Sequence, residues 1–358
     1  MHRILVIFLC LAAQAAVAGT PVPFDSPRWK FYGKTTVPEI RMGKNALRLN
    51  QGSAVLADAN FTNGTIRFDI SIKQARYFPS IRFRIQGQDD FEEFYIRPHQ
   101  SGNPDAMQYM PVYNGIGGWQ LYHGPGFTNA APLPFDRWLH VTIVVNDRQA
   151  EVFFDDNPEP VLFISKLKRS PAAGMIALTN LAPEDAWYAN VSVTPENGLP
   201  IKSKPRPVAP LPAGTIAGWE VSSPFPEKLL ASETRLSSAL HSTLSWEKLA
   251  ADEMGTTDLS ILHGISKDTN TVFVKTVIHA DRDTVRKFTF GFSDRARLFL
   301  NGKLLYAGAD NFMSRDYRFL GTIGYFDAVW LDLKKGQNEV WIAVSEDFGG
   351  WGVKARLE

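Results

Sequence analysis

The sequence predicts an all-β protein of two β-sandwich (jelly-roll) domains joined by a Pro-rich linker. Three observations carry this expectation. Apolar residues recur with period two, as in Gly64–Lys73, where Ile66, Phe68, Ile70 and Ile72 take one face and Arg67, Asp69, Ser71 and Lys73 the other. Gly, Pro, Asn and Asp clusters punctuate these runs, and no long 3.6-residue pattern competes with them. Finally, Pro195, Pro200, Pro205, Pro207, Pro210 and Pro212 crowd one stretch, a composition that sustains neither helix nor central strand.

Taken in order, the chain opens with Arg3, an apolar run from Ile4 to Val17 and small residues at Ala16 and Ala18, the pattern of a signal peptide over residues 1–18 cleaved near Ala18. That run is shorter than the roughly 20 residues of a membrane-spanning helix, so membrane insertion is not expected. Residues 19–195 are read as the first sandwich, 196–214 as the linker and 215–358 as the second sandwich. In the first, the strand pattern recurs at Ile81–Ile85, Phe94–Arg97, Leu139–Val145, Ala150–Phe154 and Met175–Leu178. In the second, Val272–Ile278 and Val340–Val344 alternate, and Asn301-Gly302 between two apolar runs predicts a tight hairpin, because both residues tolerate positive φ. One peripheral helix is expected over Glu227–Ser242.

Composition narrows the function classes. With 38 Lys and Arg against 37 Asp and Glu among 358 residues, no global charge draws the protein to nucleic acid, so no nucleic-acid partner is expected. The single cysteine, Cys10, lies in the apolar leader; without it the chain has no disulfide, thiolate nucleophile or cysteine zinc site. A periplasmic or secreted location follows. Gly-x-Ser-x-Gly elbows, phosphate loops and His-Glu-x-x-His are all missing.

The stretches Arg137–Val145, Ala150–Asp155, Gly174–Leu178 and Ala189–Val193 resemble the closing strands of the concanavalin A-like lectin and glucanase superfamily, over roughly Thr20–Pro195. Laminin G-like and 3-keto-disaccharide hydrolase-like domains share this order. Phe290–Asp294, Arg297–Gly302, Leu333–Asn338 and Gly349–Gly352 resemble a galactose-binding-domain-like sandwich. The resemblance implies two sandwiches and a carbohydrate connection. The Glu-x-Asp-x-Glu type motif that many glucanases of the first superfamily carry on one strand is absent.

The densest polar and aromatic stretch runs from Arg97 to His123. Sugars present apolar faces and hydroxyl rims, so their sites combine flat rings with hydrogen-bonding side chains. Trp119, Tyr109 and Tyr122 are the expected stacking surfaces, and Arg97, His99, Asp105 and Gln108 the expected partners of hydroxyls. The competing reading is that these aromatics cap the core and the polar groups satisfy a long loop. Asp90 and Glu92 are the candidate acid and base of a glycoside hydrolase, with Asp105 or His99 as further candidates, because alternate residues of a strand lie about 6.5–7 Å apart on one face. A solvated acidic edge is the competing reading. Trp351 in Phe348–Val353 is either a stacking ring or a core plug, the latter favoured by its place before the last apolar residues.

No cofactor is called for. A structural calcium ion is left open, with Asp155, Asp156 and Asn157, or Asp281 and Asp283, as oxygen sources that equally form ordinary turns. Asn60, Asn63 and Asn190 head Asn-x-Ser/Thr sequences, relevant only to a eukaryotic secretory route. The expectation is thus an exported, lectin-like protein whose partner is a glycan or polysaccharide. A glycoside hydrolase of the keto-disaccharide type and a protein-adhesion or assembly module are the alternatives. The sequence leaves the oligomeric state and the sugar open.

Overall fold

The computed structural model describes residues 19–205, 207–316 and 320–358; the leader, with Cys10, lies outside the described residues. The fold is all-β. Thirteen strands come first: β1 (Trp29–Arg41), β2 (Lys44–Phe61), β3 (Gly64–Ser71), β4 (Ser80–Ile85), β5 (Phe91–Ile96), β6 (Met107–Tyr113), β7 (Ile116–Gly117), β8 (Thr128–Asn129), β9 (Trp138–Asn146), β10 (Gln149–Phe154), β11 (Leu162–Ile164), β12 (Gly174–Asn180) and β13 (Ala186–Pro195). They hydrogen-bond in the order β11-β10-β9-β3-β13-β2-β12-β4-β5-β6-β7, with β1 on β2 and β8 on β6.

The long strand β2 makes two layers of this one ladder. Its first half pairs with β13, Leu49 opposite Ala186, and its second half with β12, Gly52 opposite Asn180. The change of partner falls at Gln51, whose φ of 50° turns the strand. Period-two alternation then aims Ile66, Phe68 and Ile70 of β3 and Val141, Ile143 and Val145 of β9 at Ile81, Phe83, Phe94 and Ile96 of β4 and β5, in one buried cluster.

After residues 196–214 come β14 (Gly218–Ser222), the one-turn helix α1 (Ser238–His241), β15 (Trp246–Ala250), β16 (Thr257–Asp258), β17 (Thr271–Ala280), β18 (Thr284–Ser293), β19 (Arg295–Leu300), β20 (Lys303–Ala309), β21 (Asp327–Leu333), β22 (Gly336–Ser345) and β23 (Gly352–Leu357). They form a six-stranded sheet, β15-β14-β17-β22-β19-β20, and a four-stranded one, β16-β23-β18-β21. Val272, Val274, Ile342 and Val344 meet Phe288, Phe290 and Phe292 between them. Trp351 is fully buried there, its indole donating to Val344 O at 3.0 Å, and so acts as a core plug. Asn301 and Gly302 (φ 48° and 79°) close the β19–β20 hairpin.

The helix expected over Glu227–Ser242 does not form as one element. A 3₁₀ turn at Glu227–Leu230 and α1, capped by the Ser237 side chain, replace it. The leucines there serve packing instead: Leu230, Leu236, Leu240 and Leu244 cover Phe273, Phe299 and Trp341 on the outer face of the six-stranded sheet. Among the described residues no helix is long and apolar enough to cross a membrane.

The two halves are knit together. Ile116, from the first, belongs to the buried cluster of the second, and Ile323, from the second, to that of the first. Lys168 bridges Asp252 and Glu253 at 2.8 Å each, across the same junction.

Candidate functional site

The outward residues of β12, β4, β5 and β6 line up in cross-strand rows. Thr179, Ser80, Tyr95 and Gln108 stand opposite one another in one row, and Ala177, Arg82, Glu93 and Met110 in the next. Their neighbours along each strand point into the sandwich, so this face is fixed by the same alternation that builds the core.

Its polar groups are already oriented. Glu93 Oε1 accepts from Ser80 Oγ at 2.6 Å and from Arg82 Nε at 3.0 Å; Ser80 also bonds Thr179. The Arg82 guanidinium lies 4.3 Å over the Phe91 ring. Arg97 donates to Asp105 Oδ1 at 2.6 Å, to Tyr95 Oη at 2.6 Å and to Gln108 Oε1. Tyr95 Oη donates to Gln108 Oε1 at 2.7 Å, and the Gln108 amide donates on to Trp119 O at 2.9 Å. Burial raises the Asp105 carboxyl above its ordinary value, against the pull of Arg97. Side chains bonded in this way are held in single rotamers, the condition for recognition without an ordering cost.

Aromatic rings stand beside the network. Phe78, 42% exposed, sets its edge on Tyr95 and on His99, centroids 6.2 and 5.6 Å away. His99 is half-buried, its Nδ1 unpartnered, and burial with the nearby Arg76 and Arg97 lowers its pKa, favouring the neutral ring. Trp119 is half-buried and meets Phe348 and Phe312 of the second half, at 5.8 and 6.2 Å.

The rest of the stretch Arg97–His123 is an internal joint, which corrects two of the expected stacking surfaces. Tyr109 is buried in the sandwich, donating to Glu92 Oε2 at 2.7 Å and accepting from Lys168 N at 2.7 Å. Tyr122 is buried against the second half, donating to Asp258 Oδ2 at 2.9 Å. Neither offers a ring face to a ligand. Gln120 binds four groups of the second half: its N–H donates to Gly349 O (2.9 Å), its amide nitrogen to Leu320 O (2.9 Å), and its oxygens accept from Ile323 N (3.0 Å) and Ser293 Oγ (2.9 Å). A Cβ on Gly349, at φ 112°, would stand 2.2 Å from Gln120 Oε1, so the joint requires glycine there.

The carboxylates Asp90 and Glu92 do not form the expected pair on a common face. Glu92 is fully buried, both oxygens engaged by Tyr109 and by Arg169 N, and burial pushes its carboxyl up to about 7, opposed by the Tyr109 bond and Arg84. This also departs from the solvated-edge reading, because the side chain faces the core. Asp90 lies at the surface and pairs with Arg169 at 2.8 Å. Asp155 receives His140 N at 2.9 Å and Asp283 receives Lys335 N at 2.8 Å, as turn carboxylates do. Among the described residues no group of three or more His, Cys, Asp or Glu converges as metal ligands.

The structure therefore brings Arg97, Asp105 and Gln108 together, sets His99 and Trp119 at their rim, and sends Tyr109, Tyr122 and Glu92 inside. Sequence reasoning missed Ser80, Arg82, Glu93, Tyr95 and Phe78, although the alternation at Ile81–Ile85 marks residues 80 and 82 as outward. It also passed over Phe348, three residues before Trp351.

No protein-family model matches the chain, and no curated protein matches it. Among solved structures, it is similar to the carbohydrate binding module CBM66 from Bacillus subtilis, with 16% identity over 46% of this chain and 93% of that one, at a TM-score of 0.35. A Bacillus subtilis protein of unknown function with a galectin-like fold shares 13% identity over 49% of this chain and 94% of that one, at a TM-score of 0.37. A Bacillus licheniformis β-glucanase shares 12% identity over 51% of this chain and all of that one, at a TM-score of 0.35.

Proposed function

We propose that this is an exported carbohydrate-binding protein of lectin type, which holds a glycan against the outer face of β4, β5 and β6. The observation that carries the reading is the pair of cross-strand rows with fixed hydrogen bonds, Ser80–Tyr95–Gln108 and Arg82–Glu93, beside the open ring of Phe78. Arg82 donates and Asp105 accepts, both half-buried and with remaining capacity toward hydroxyls, while the buried Ser80, Glu93, Tyr95, Arg97 and Gln108 fix their orientation from behind. The Phe78 ring offers an apolar surface of the kind that pairs with the apolar face of a sugar. The burial of Glu92 favours recognition over hydrolysis, because a buried, doubly engaged carboxyl does not reach a glycosidic oxygen.

The test incubates the mature protein with a polysaccharide and oligosaccharide panel, following retention and product release in the same samples. Retention without products, weakened in Phe78→Ala and Arg82→Ala, is expected. Product release abolished by one carboxylate variant would replace this reading with the hydrolase; concentration-dependent mass, unchanged by any sugar, would replace it with the adhesion module.

A further inference from the structure

The second half of the chain carries a side chain that the glycan reading does not use. Phe348 is 63% exposed, and it is not an isolated ring: with the half-buried Trp119 and with Phe312 it forms one contiguous aromatic patch, the kind of surface that marks a binding site. The loop is pinned from beneath. Asp294 Oδ2 accepts from Asp347 N at 3.0 Å and Phe348 N at 3.1 Å, Glu346 Oε1 accepts from Gly350 N at 3.1 Å, and Gly349 O receives Gln120 N at 2.9 Å. Were Phe348 only cement between the halves, its ring would be covered. Instead its centroid stands 5.8 Å from Trp119, at 57°, with the remainder open. Trp119 in turn sits on Gln108 of the polar row through its carbonyl, at 2.9 Å.

We propose that Phe348 extends the glycan site across the junction, so that the ligand is an oligosaccharide longer than a disaccharide, held by both halves at once. This rests on the glycan reading. Three inter-strand steps of about 4.8 Å, about 14 Å in all, separate β12 from β6, and the Trp119–Phe348 pair lies beyond β6, so a ligand that spans the run has several linked sugar rings. Charges on the face are matched within it, Arg82 with Glu93 at 3.0 Å and Arg97 with Asp105 at 2.6 Å, while the exposed Arg76 stands at its rim over Phe312, so a neutral oligosaccharide is the ligand proposed and an acidic ladder is the arm that would overturn it.

The experiment uses the full mature chain and size-graded ladders of β-1,4-glucan, β-1,3-glucan, xylan and mannan oligosaccharides, with galacturonan oligosaccharides as the acidic arm. Affinity is expected to rise with chain length beyond the disaccharide for a neutral ladder, and Phe348→Ala to remove that rise. An aromatic contact is worth about 0.5–1.5 kcal/mol, or roughly two- to twelve-fold in affinity. Phe348→Trp should keep the rise, and unchanged melting of both variants separates lost stacking from lost fold. Wild-type affinity of Phe348→Ala for the longest oligomers, or binding of the acidic ladder alone, overturns the inference. Glycan binding that survives both Phe78→Ala and Arg82→Ala overturns the underlying reading instead, and no binding to any ladder overturns both.

Discussion

The first sandwich has two outer faces, both rich in aromatic and charged residues, with opposite characters. On β13, β3 and β9, the rings are already covered. The Arg41 guanidinium lies 3.6 Å over Trp187, Lys73 reaches the same ring at 5.4 Å, and Lys44 lies 5.2 Å from Trp138. Asp69 at the centre accepts from Lys44 and Asn190 at 2.6 Å and from His140 at 2.8 Å. Burial pushes that carboxyl up, but the three bonds leave it below its ordinary value. On β4, β5 and β6 the polar groups are bonded as tightly, yet the rings beside them, Phe78 and Phe348, keep 42% and 63% of their surface in water, with no cation of the described residues over them. A face becomes a candidate binding surface when its hydrogen bonds are fixed and its rings are vacant; the number of aromatics does not decide it.

The strongest way to break this contrast is on the closed face. Asp69→Ala removes a buried carboxylate with three bonds, but Lys44, His140 and Asn190 reach water and can hydrate, so the cost is about 1–3 kcal/mol. Urea unfolding should show this loss, with glycan retention by the folded fraction unchanged; retention lost from the folded fraction would move the site to this face.

Removing the Phe78 ring should do the reverse. Phe78→Ala is expected to weaken glycan retention about two- to twelve-fold, the value of one aromatic contact, and to leave melting nearly unchanged because the ring is half in water. A large drop in melting temperature would recast Phe78 as structural.

A third measurement sharpens the role of the joint behind the open face. Burial raises Asp258 from 3.8 to about 6 and Glu92 from 4.5 to about 7, so the native fold favours their protonated forms. Their contribution to stability is full below pH 3.8 and is lost as pH rises through about 6 and 7. Stability is therefore expected to fall between about pH 4 and 7, and Asp258→Asn to flatten the earlier part of that fall. An unchanged profile in that variant would remove Asp258 from the account. The smallest effect is expected of Lys73→Ala, within about 0.5 kcal/mol in stability and without effect on retention.

The fold class was legible because alternation is a local property: Ile66, Phe68 and Ile70 announce their face without reference to the rest of the chain. The hairpin at Asn301-Gly302 was legible for the same reason, since positive φ is a property of those two residues. The segment Glu227–Ser242 was not, because its leucines answer to Phe273 and Trp341, contacts that carry no helical period. The stretch Arg97–His123 stood out in the sequence, but the fates of its rings did not. Tyr122 is taken inside by Asp258, and Trp119 is met by Phe348, partners 136 and more residues away that no spacing rule connects. Ser80, Arg82, Glu93 and Tyr95 were hidden differently. Outward polar residues on a half-buried strand look like ordinary solvated ones until the register aligns them.

The bonds of Gln120 to Ser293, Leu320, Ile323 and Gly349 set an order of events during synthesis. A chain made from its N-terminus completes β1–β13 well before residue 349 exists, so for that interval the loop around Trp119 is held only from its own half, by Gln108 to Trp119 O and Gly118 N to Pro111 O, and Tyr122 has no Asp258 to meet. The rim of the open face therefore takes shape only after nearly the whole chain has emerged. A first sandwich without the second half would lack Ile323 in its core and the partners of Gln120 and Tyr122 at its rim.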